Sequence, residues 1–165
     1  MSAIRIAGII EESITDGPGY RYTIFTQGCK HNCKGCHNPE TWNFNGGKTI
    51  EVDRLYNNIL KDPLLEGITF SGGDPMYQPL ECMELASLVK LHGGLTIWCY
   101  TGFTYEEVLE DSDKRRFLEY IDVLVDGPFV ESEKSLDLTF KGSRNQRIID
   151  VKKSLTSGEV VIYNT

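Results

Sequence analysis

A chain of 165 residues with 40% hydrophobic side chains suits a single domain, expected to span residues 1–165, and it needs neither disulfides nor a metal merely to build a core. Its formal net charge of -7 argues against general binding to phosphate backbones, which draws on Lys and Arg, so no nucleic-acid partner is expected. No apolar run approaches the roughly eighteen residues of a membrane span, and residues 1–10 lack the basic lead of a signal peptide. The expected location is therefore cytoplasmic, with no membrane partner, where five cysteines serve as thiols or metal ligands rather than disulfides.

Tyr22 to Gln27 is rich in β-branched and aromatic residues and reads as a strand. Val52, Leu55, Tyr56, Ile59 and Leu60 recur at the spacing of one helix face, and Asp62-Pro63 ends that helix. Gly67 to Ser71 is a short buried strand stopped by Gly72-Gly73. A helix is predicted from about Pro79 to Leu91, closed by His92-Gly93-Gly94. Leu95 to Tyr100 is a further strand, and Thr104 with Glu107 forms a capping box that opens another helix. Asp122 to Asp126 is a fourth strand, broken by Gly127-Pro128. The remainder is less regular, with strand-like pieces near Gln146–Asp150 and Glu159–Tyr163. Lys114-Arg115-Arg116 reads as a solvated helix face, while Arg144, Arg147, Lys152 and Lys153 could meet a partner or a small anion.

Strand and helix in alternation predict an α/β fold with a parallel sheet and crossover helices. The units are too few for a closed eight-stranded barrel of about 250 residues, so a partial, open β/α barrel is expected. The unusual residues sit where strands end: Cys29 to Cys36, Gly72-Gly73-Asp74, Thr101-Gly102 and Asp126-Gly127. Ligands of α/β folds bind at that end of the sheet.

Residues 28 to 39 read GCKHNCKGCHNP. Cys33 to His37 spells C-x-x-C-H, the attachment signal of a c-type haem. Haem would leave Cys29 without a task, and such attachment belongs outside the cytosol. Cys29, Cys33 and Cys36 with His31 or His37 could close a structural zinc site, although zinc modules usually bring their ligands as two separated pairs. The third reading is a 4Fe-4S cluster held by three thiolates. A ferredoxin uses four cysteines, so three leave one iron open for an exogenous ligand. Cys82 on a helix face and Cys99 inside a strand read as core residues, and His31 as an exposed loop residue.

C-x3-C-x2-C after the first strand, with Gly-Gly-Asp after the second, resembles the radical S-adenosylmethionine superfamily. Asp16-Gly17-Pro18-Gly19 followed by Phe25-x-Gln27-Gly28-Cys29 is similar to its glycyl-radical-enzyme activases. Gly35-Cys36-His37-Asn38-Pro39-x-Thr41-Trp42, Ser71-Gly72-Gly73-Asp74-Pro75, Trp98-x-Tyr100-Thr101-Gly102, Val125-Asp126-Gly127 and Gly142-Ser143-x-Asn145-Gln146 resemble the branch serving anaerobic ribonucleoside-triphosphate reductase. The similarity runs from about residue 4 to about 150.

The resemblance implies an oxidoreductase that cleaves S-adenosylmethionine reductively at a 4Fe-4S cluster and installs a glycyl radical on the large reductase subunit. It implies Cys29, Cys33 and Cys36 as iron ligands. It further implies S-adenosylmethionine contacts from Gly35, Cys36, His37, Gly72, Gly73, Asp74 and Asp126, and an external electron donor. No side chain need act as general acid or base. Some sister activases carry a lysine two residues after the aspartate of the fourth strand, where this chain has Pro128; Arg144 is the substitute considered. The alternatives are an activase of pyruvate formate-lyase type and a zinc-stabilised binding module without catalysis.

Overall fold

The computed structural model describes the chain except residues 1, 32, 37, 38 and 165. Its strands are β1 (Ala3–Ser13), β2 (Arg21–Thr26), β3 (Lys48–Glu51), β4 (Gly67–Gly72), β5 (Thr96–Tyr100), β6 (Val123–Asp126) and β7 (Arg147–Asp150). Its helices are α1 (Val52–Leu60), α2 (Pro79–His92), α3 (Tyr105–Glu110), α4 (Ser112–Leu118) and α5 (Val151–Ser157). All seven strands form one sheet in the order β3-β1-β2-β4-β5-β6-β7.

The four central strands β2, β4, β5 and β6 pair in parallel, as the sequence pattern predicts. The whole sheet is mixed rather than parallel. β1 runs antiparallel to both β2 and β3, and β7 runs antiparallel to β6. The helix predicted after Thr104 is two helices. Thr104 and Glu107 form the capping box of α3, and Asp111 then breaks the chain and caps α4 by accepting from the Asp113 and Lys114 amides. The strand expected at Glu159–Tyr163 reduces to a bridge between Ile149 and Ile162.

Alternation along the strands gives the sheet two different faces. Ile24, Ile68, Phe70, Ile97, Cys99 and Leu124 point to one face and pack on Leu55, Ile59, Leu85, Val89, Val108 and Phe117 from the helices. Cys82 and Cys99 are both in that core, as expected. The other face carries Arg21, Thr23, Phe25, Thr69, Ser71, Trp98, Tyr100, Val123 and Val125. No helix covers it; Phe140, Ile148 and Tyr163 pack on Trp98, Val123 and Val125 there. Among the described residues, no helix is long and apolar enough to cross a membrane.

Candidate metal centre

The parallel strands deliver their carboxyl ends to one place. Beyond β2 the chain enters the cysteine loop, whose return is held by backbone: the Gly28 amide donates to Thr41 O at 2.6 Å and the Cys29 amide to Trp42 O at 3.1 Å. The end of β2 is also tied to the turn after β4, since the Gly73 amide donates to Thr26 O (2.8 Å) and the Asp74 amide to Gly28 O (2.9 Å). This close approach explains the glycine pair. Gly72 has φ +97°, and a Cβ there would lie 2.4 Å from the Thr26 nitrogen; one on Gly73 would lie 2.5 Å from Gly28 O. The neighbouring backbone, before any ligand, demands glycine at both positions.

Cys29, Cys33 and Cys36 line one cavity of about 120 Å³ together with Gly72, Gly73 and Gly127. The other lining residues are aromatic or neutral, among them Trp42, Tyr100, Phe129 and Gln146, and none is a carboxylate or a lysine. Burial pushes the Cys29 thiol up to about 11, so its thiolate needs a cation beside it. Soft sulfur donors at one wall with no carboxylate beside them fit an iron–sulfur cluster. Among the described residues, no three His, Cys, Asp or Glu side chains converge for a single ion. In a cluster each thiolate takes a different iron, so the sulfurs need not meet at a point.

Two aspartates expected to offer a carboxylate to a ligand are buried under hydrogen bonds from the chain itself. Asp74 is fully buried. Its Oδ1 accepts from the Met76 amide (2.9 Å), and its Oδ2 from His31 Nε2 (2.7 Å), Thr101 Oγ1 (2.9 Å) and the Gly102 amide (2.9 Å). One side chain thus joins the cysteine loop, the turn after β4 and the end of β5. Asp126, also buried, accepts from the Tyr105 amide (2.7 Å) and from Arg147 Nε and Nη2 (3.1 and 2.5 Å). Neither aspartate lines the cavity, because each is enclosed by the donors it holds.

His31 is not an exposed loop residue. Its side chain is 17% accessible, bonded to Asp74 and stacked edge-on to Phe103 with ring centroids 4.6 Å apart. Gly35 sits at the exposed tip of the loop with φ +77°, where a Cβ would meet the Glu131 carboxyl at 2.9 Å. His37 lies outside the described residues. Arg144 is exposed and lines neither this cavity nor the next, and Arg147 is engaged by Asp126 and Glu106. Lys114 crosses over the Phe103 ring at 4.8 Å, while Arg115 and Arg116 are exposed as predicted.

A second cavity of about 520 Å³ adjoins the first and shares Cys36, Tyr100, Phe129 and Gln146 with it. Its further walls are Asp16 and Phe25 on one side and Leu138, Phe140 and Lys141 on the other. Gln146 closes the rim: its Oε1 accepts from the Gly142 and Ser143 amides, and its Nε2 donates to Gly127 O at 3.0 Å.

A family described as a 4Fe-4S single cluster domain matches residues 15–149. The anaerobic ribonucleoside-triphosphate reductase-activating protein of Haemophilus influenzae is 37% identical over 143 residues, covering 82% of this chain and 90% of that one. The protein of the same name in Vibrio cholerae is 39% identical over 142 residues, with the same coverage. This chain belongs to that family of activating proteins. A member from Enterobacteria phage T4 is 33% identical over 139 residues, 81% of this chain and 85% of its own. Among solved structures, QueE from Escherichia coli superposes with a TM-score of 0.49 at 17% identity, over 62% of this chain and 54% of that chain, too distant a likeness to argue from.

Within this family fold, sequence reasoning missed Trp42, Tyr100, Phe129 and Gln146 as cavity walls. The signal for Tyr100 was present: alternation along β5 puts Trp98 and Tyr100 on the face opposite Ile97 and Cys99. Phe129 and Gln146 reach the cavity from irregular segments, for which no periodicity exists.

Proposed function

We propose that this chain activates anaerobic ribonucleoside-triphosphate reductase by placing a glycyl radical on its large subunit, working as a radical S-adenosylmethionine enzyme on a partial barrel. Cys29, Cys33 and Cys36 would hold a 4Fe-4S cluster through three thiolates, which would leave one iron for S-adenosylmethionine. The observation that carries this reading is the wall of three thiols at the ends of parallel strands, in a chain of this family. When bound, the cluster would supply the one electron that cleaves S-adenosylmethionine to methionine and a 5′-deoxyadenosyl radical, which would take hydrogen from a glycine Cα.

The chain's own residues position and enclose. Asp74 fixes the cysteine loop against the ends of β4 and β5. Gly72 and Gly73 keep β2 and β4 close, and both face the cavity, where their backbone offers hydrogen bonds to a bound amine. Asp126 holds the start of α3 and Arg147 against the end of β6. The second cavity, between Asp16 and Lys141, receives the nucleoside and the glycine-bearing loop of the reductase. A homolytic step asks for alignment and exclusion of competing hydrogen donors, which these walls provide.

The test is anaerobic. The iron-loaded protein, S-adenosylmethionine, dithionite and the large reductase subunit should give 5′-deoxyadenosine and a glycyl doublet in the electron paramagnetic resonance spectrum. A doublet formed only on pyruvate formate-lyase would move the assignment to that partner. A colourless protein with stoichiometric zinc would end it.

A further inference from the structure

The helix-free face of the sheet is divided into an upper and a lower chamber. Thr15 and Asp16 line the upper cavity of about 520 Å³, which Cys36 also lines and through which it adjoins the cysteine cavity. Two residues further along the chain, Pro18 lines a separate cavity of about 510 Å³. That lower cavity is walled by Arg21, Thr96, Trp98 and Val123, at the amino ends of the parallel strands, and its rim carries the exposed Glu66, Lys152 and Lys153. The segment Asp16-Gly17-Pro18 thus forms one side of the partition between them, and the Phe140, Trp98 and Tyr163 rings form the other.

Arg21 holds that partition. Its side chain is fully buried, yet no carboxylate among the described residues touches it. A guanidinium has five N–H donors, and here each meets a neutral oxygen. Nε donates to Thr69 Oγ1 (2.8 Å), Nη1 to Pro18 O and Thr96 Oγ1 (both 3.0 Å), and Nη2 to Ile68 O (2.9 Å) and Thr96 O (2.8 Å). Thr69 Oγ1 in turn donates to Asp16 O at 2.8 Å. The partition loop is therefore clasped at residue 16 through Thr69 and at residue 18 directly. The guanidinium also lies 5.8 Å from the centre of the Trp98 ring. Two glycines make room: a Cβ on Gly17 would lie 2.8 Å from Arg21 Cδ and 3.2 Å from Trp98 Cδ2, and one on Gly67 would lie 2.4 Å from Arg21 Nη2.

We propose that Arg21 is a positioning residue that locks Asp16-Gly17-Pro18 across the sheet as a floor, sealing the reaction chamber from the solvent-facing lower cavity. This rests on the radical reading above. A carbon radical takes hydrogen readily from a thiol or a C–H donor but not from water, so the floor matters for excluding solutes such as thiols and reductants. Where it leaks, the radical takes hydrogen from the solute instead of the glycine, leaving 5′-deoxyadenosine and a solute radical. A neutral guanidinium partner set suits the task, because no exposed carboxylate is needed to keep the loop closed.

The experiment reads the floor with and without catalysis. The chain has two tryptophans, so Trp42→Phe leaves Trp98, which is 1% exposed, as the reporter. In that background Arg21→Met and Thr69→Val should raise acrylamide quenching of Trp98 severalfold, and Arg21→Lys should restore part of the protection. In the otherwise native, iron-loaded chain, the same changes should lower the glycyl radicals formed per 5′-deoxyadenosine severalfold at unchanged iron content. Should Arg21→Met not fold, Thr69→Val, which keeps a β-branched side chain, carries the test. Quenching that stays at the parent value in folded variants overturns the floor. Quenching that rises while the coupling ratio holds overturns its sealing role. A parent protein that makes no 5′-deoxyadenosine defeats the radical reading instead, and the quenching result stands apart from it.

Discussion

Replacing Asp74 by asparagine changes one oxygen to an NH2 and almost no volume, and the structure says what that should cost. Oδ1 accepts from the Met76 amide, and Oδ2 accepts from the Gly102 amide as well as from His31 and Thr101. Thr101 and His31 can turn their own hydrogens and accept from the new NH2. The two backbone amides cannot. Whichever way the asparagine side chain is flipped, an NH2 faces either Met76 N or Gly102 N. One buried backbone donor is then unmet, at a cost of about 1–3 kcal/mol. For a domain of this length about 2 kcal/mol is roughly 4–8 °C in Tm. The loss falls on the joint between the cysteine loop and the ends of β4 and β5, so iron loading should fall as well. Thermal unfolding of the full chain, paired with anaerobic iron analysis, checks both. If Asp74→Asn leaves Tm and iron content unchanged but weakens S-adenosylmethionine binding, the carboxylate faces the ligand and the positioning role is wrong.

Cys33→Ala should abolish iron binding, whereas Cys82→Ala, in the buried core of α2, should keep the iron and lose only some thermal stability; equal iron loss from both would mean the ligands are misassigned. Thr23→Val should raise stability by about 1 kcal/mol, because Thr23 Oγ1 is buried without a partner among the described residues; a loss of similar size on chemical denaturation would reveal a partner such as a bound water. Arg147 holds the Glu106 carboxyl below its usual value of 4.5 by hydrogen bonding. A lowered folded value means that this contribution is full above pH 4.5 and fades as pH falls through the folded value. Glu106→Gln should therefore flatten the acid limb of the stability curve below that pH, modestly, since this pair is at the surface and Arg147 keeps its bond to the buried Asp126; an unchanged limb would show the ion pair to be without effect.

The parts of this fold that were legible in the sequence are those with local causes. The strands β2, β4, β5 and β6 are apolar runs that end in Gly or Asp-Gly, and the capping box at Thr104 depends on residues three apart. The edges had no such signal. β1 starts with Ile4 and Ile6 in good alternation, but register shifts at Ile6/Gly8 and Ile10/Ser13 then break the period of two. β3 has four residues, of which only Ile50 is buried, as suits an edge strand beside solvent. α5 depends on Asp150, which accepts from the Lys153 amide, and on Gly158 in the left-handed region, in a stretch of seven helical residues too short to show a period.

The candidate site divides along the same line. Spacing alone brought Cys29, Cys33 and Cys36 forward, because three thiols within eight positions at the end of a strand suit few tasks other than holding a metal. What holds them was hidden, since His31 meets Asp74 across 43 positions and Arg147 meets Asp126 across 21. A buried polar side chain is recognised by its partners, and partners set by sheet order leave no trace in local composition. Arg21 is the sharpest instance: a charge at the start of an apolar strand reads as a solvent-facing end. Here the parallel pairing of β2 with β4 and of β4 with β5 carries it to Gly67, Thr69 and Thr96, where neutral oxygens surround it. Burial lowers its affinity for a proton to about 10, still far enough above neutrality for the cation to persist. A cation kept in place by neutral groups lies at the foot of the helix-free face, and thiols gathered without carboxylates lie at its head, so the two ends of one sheet face differ in kind although the same four parallel strands build both.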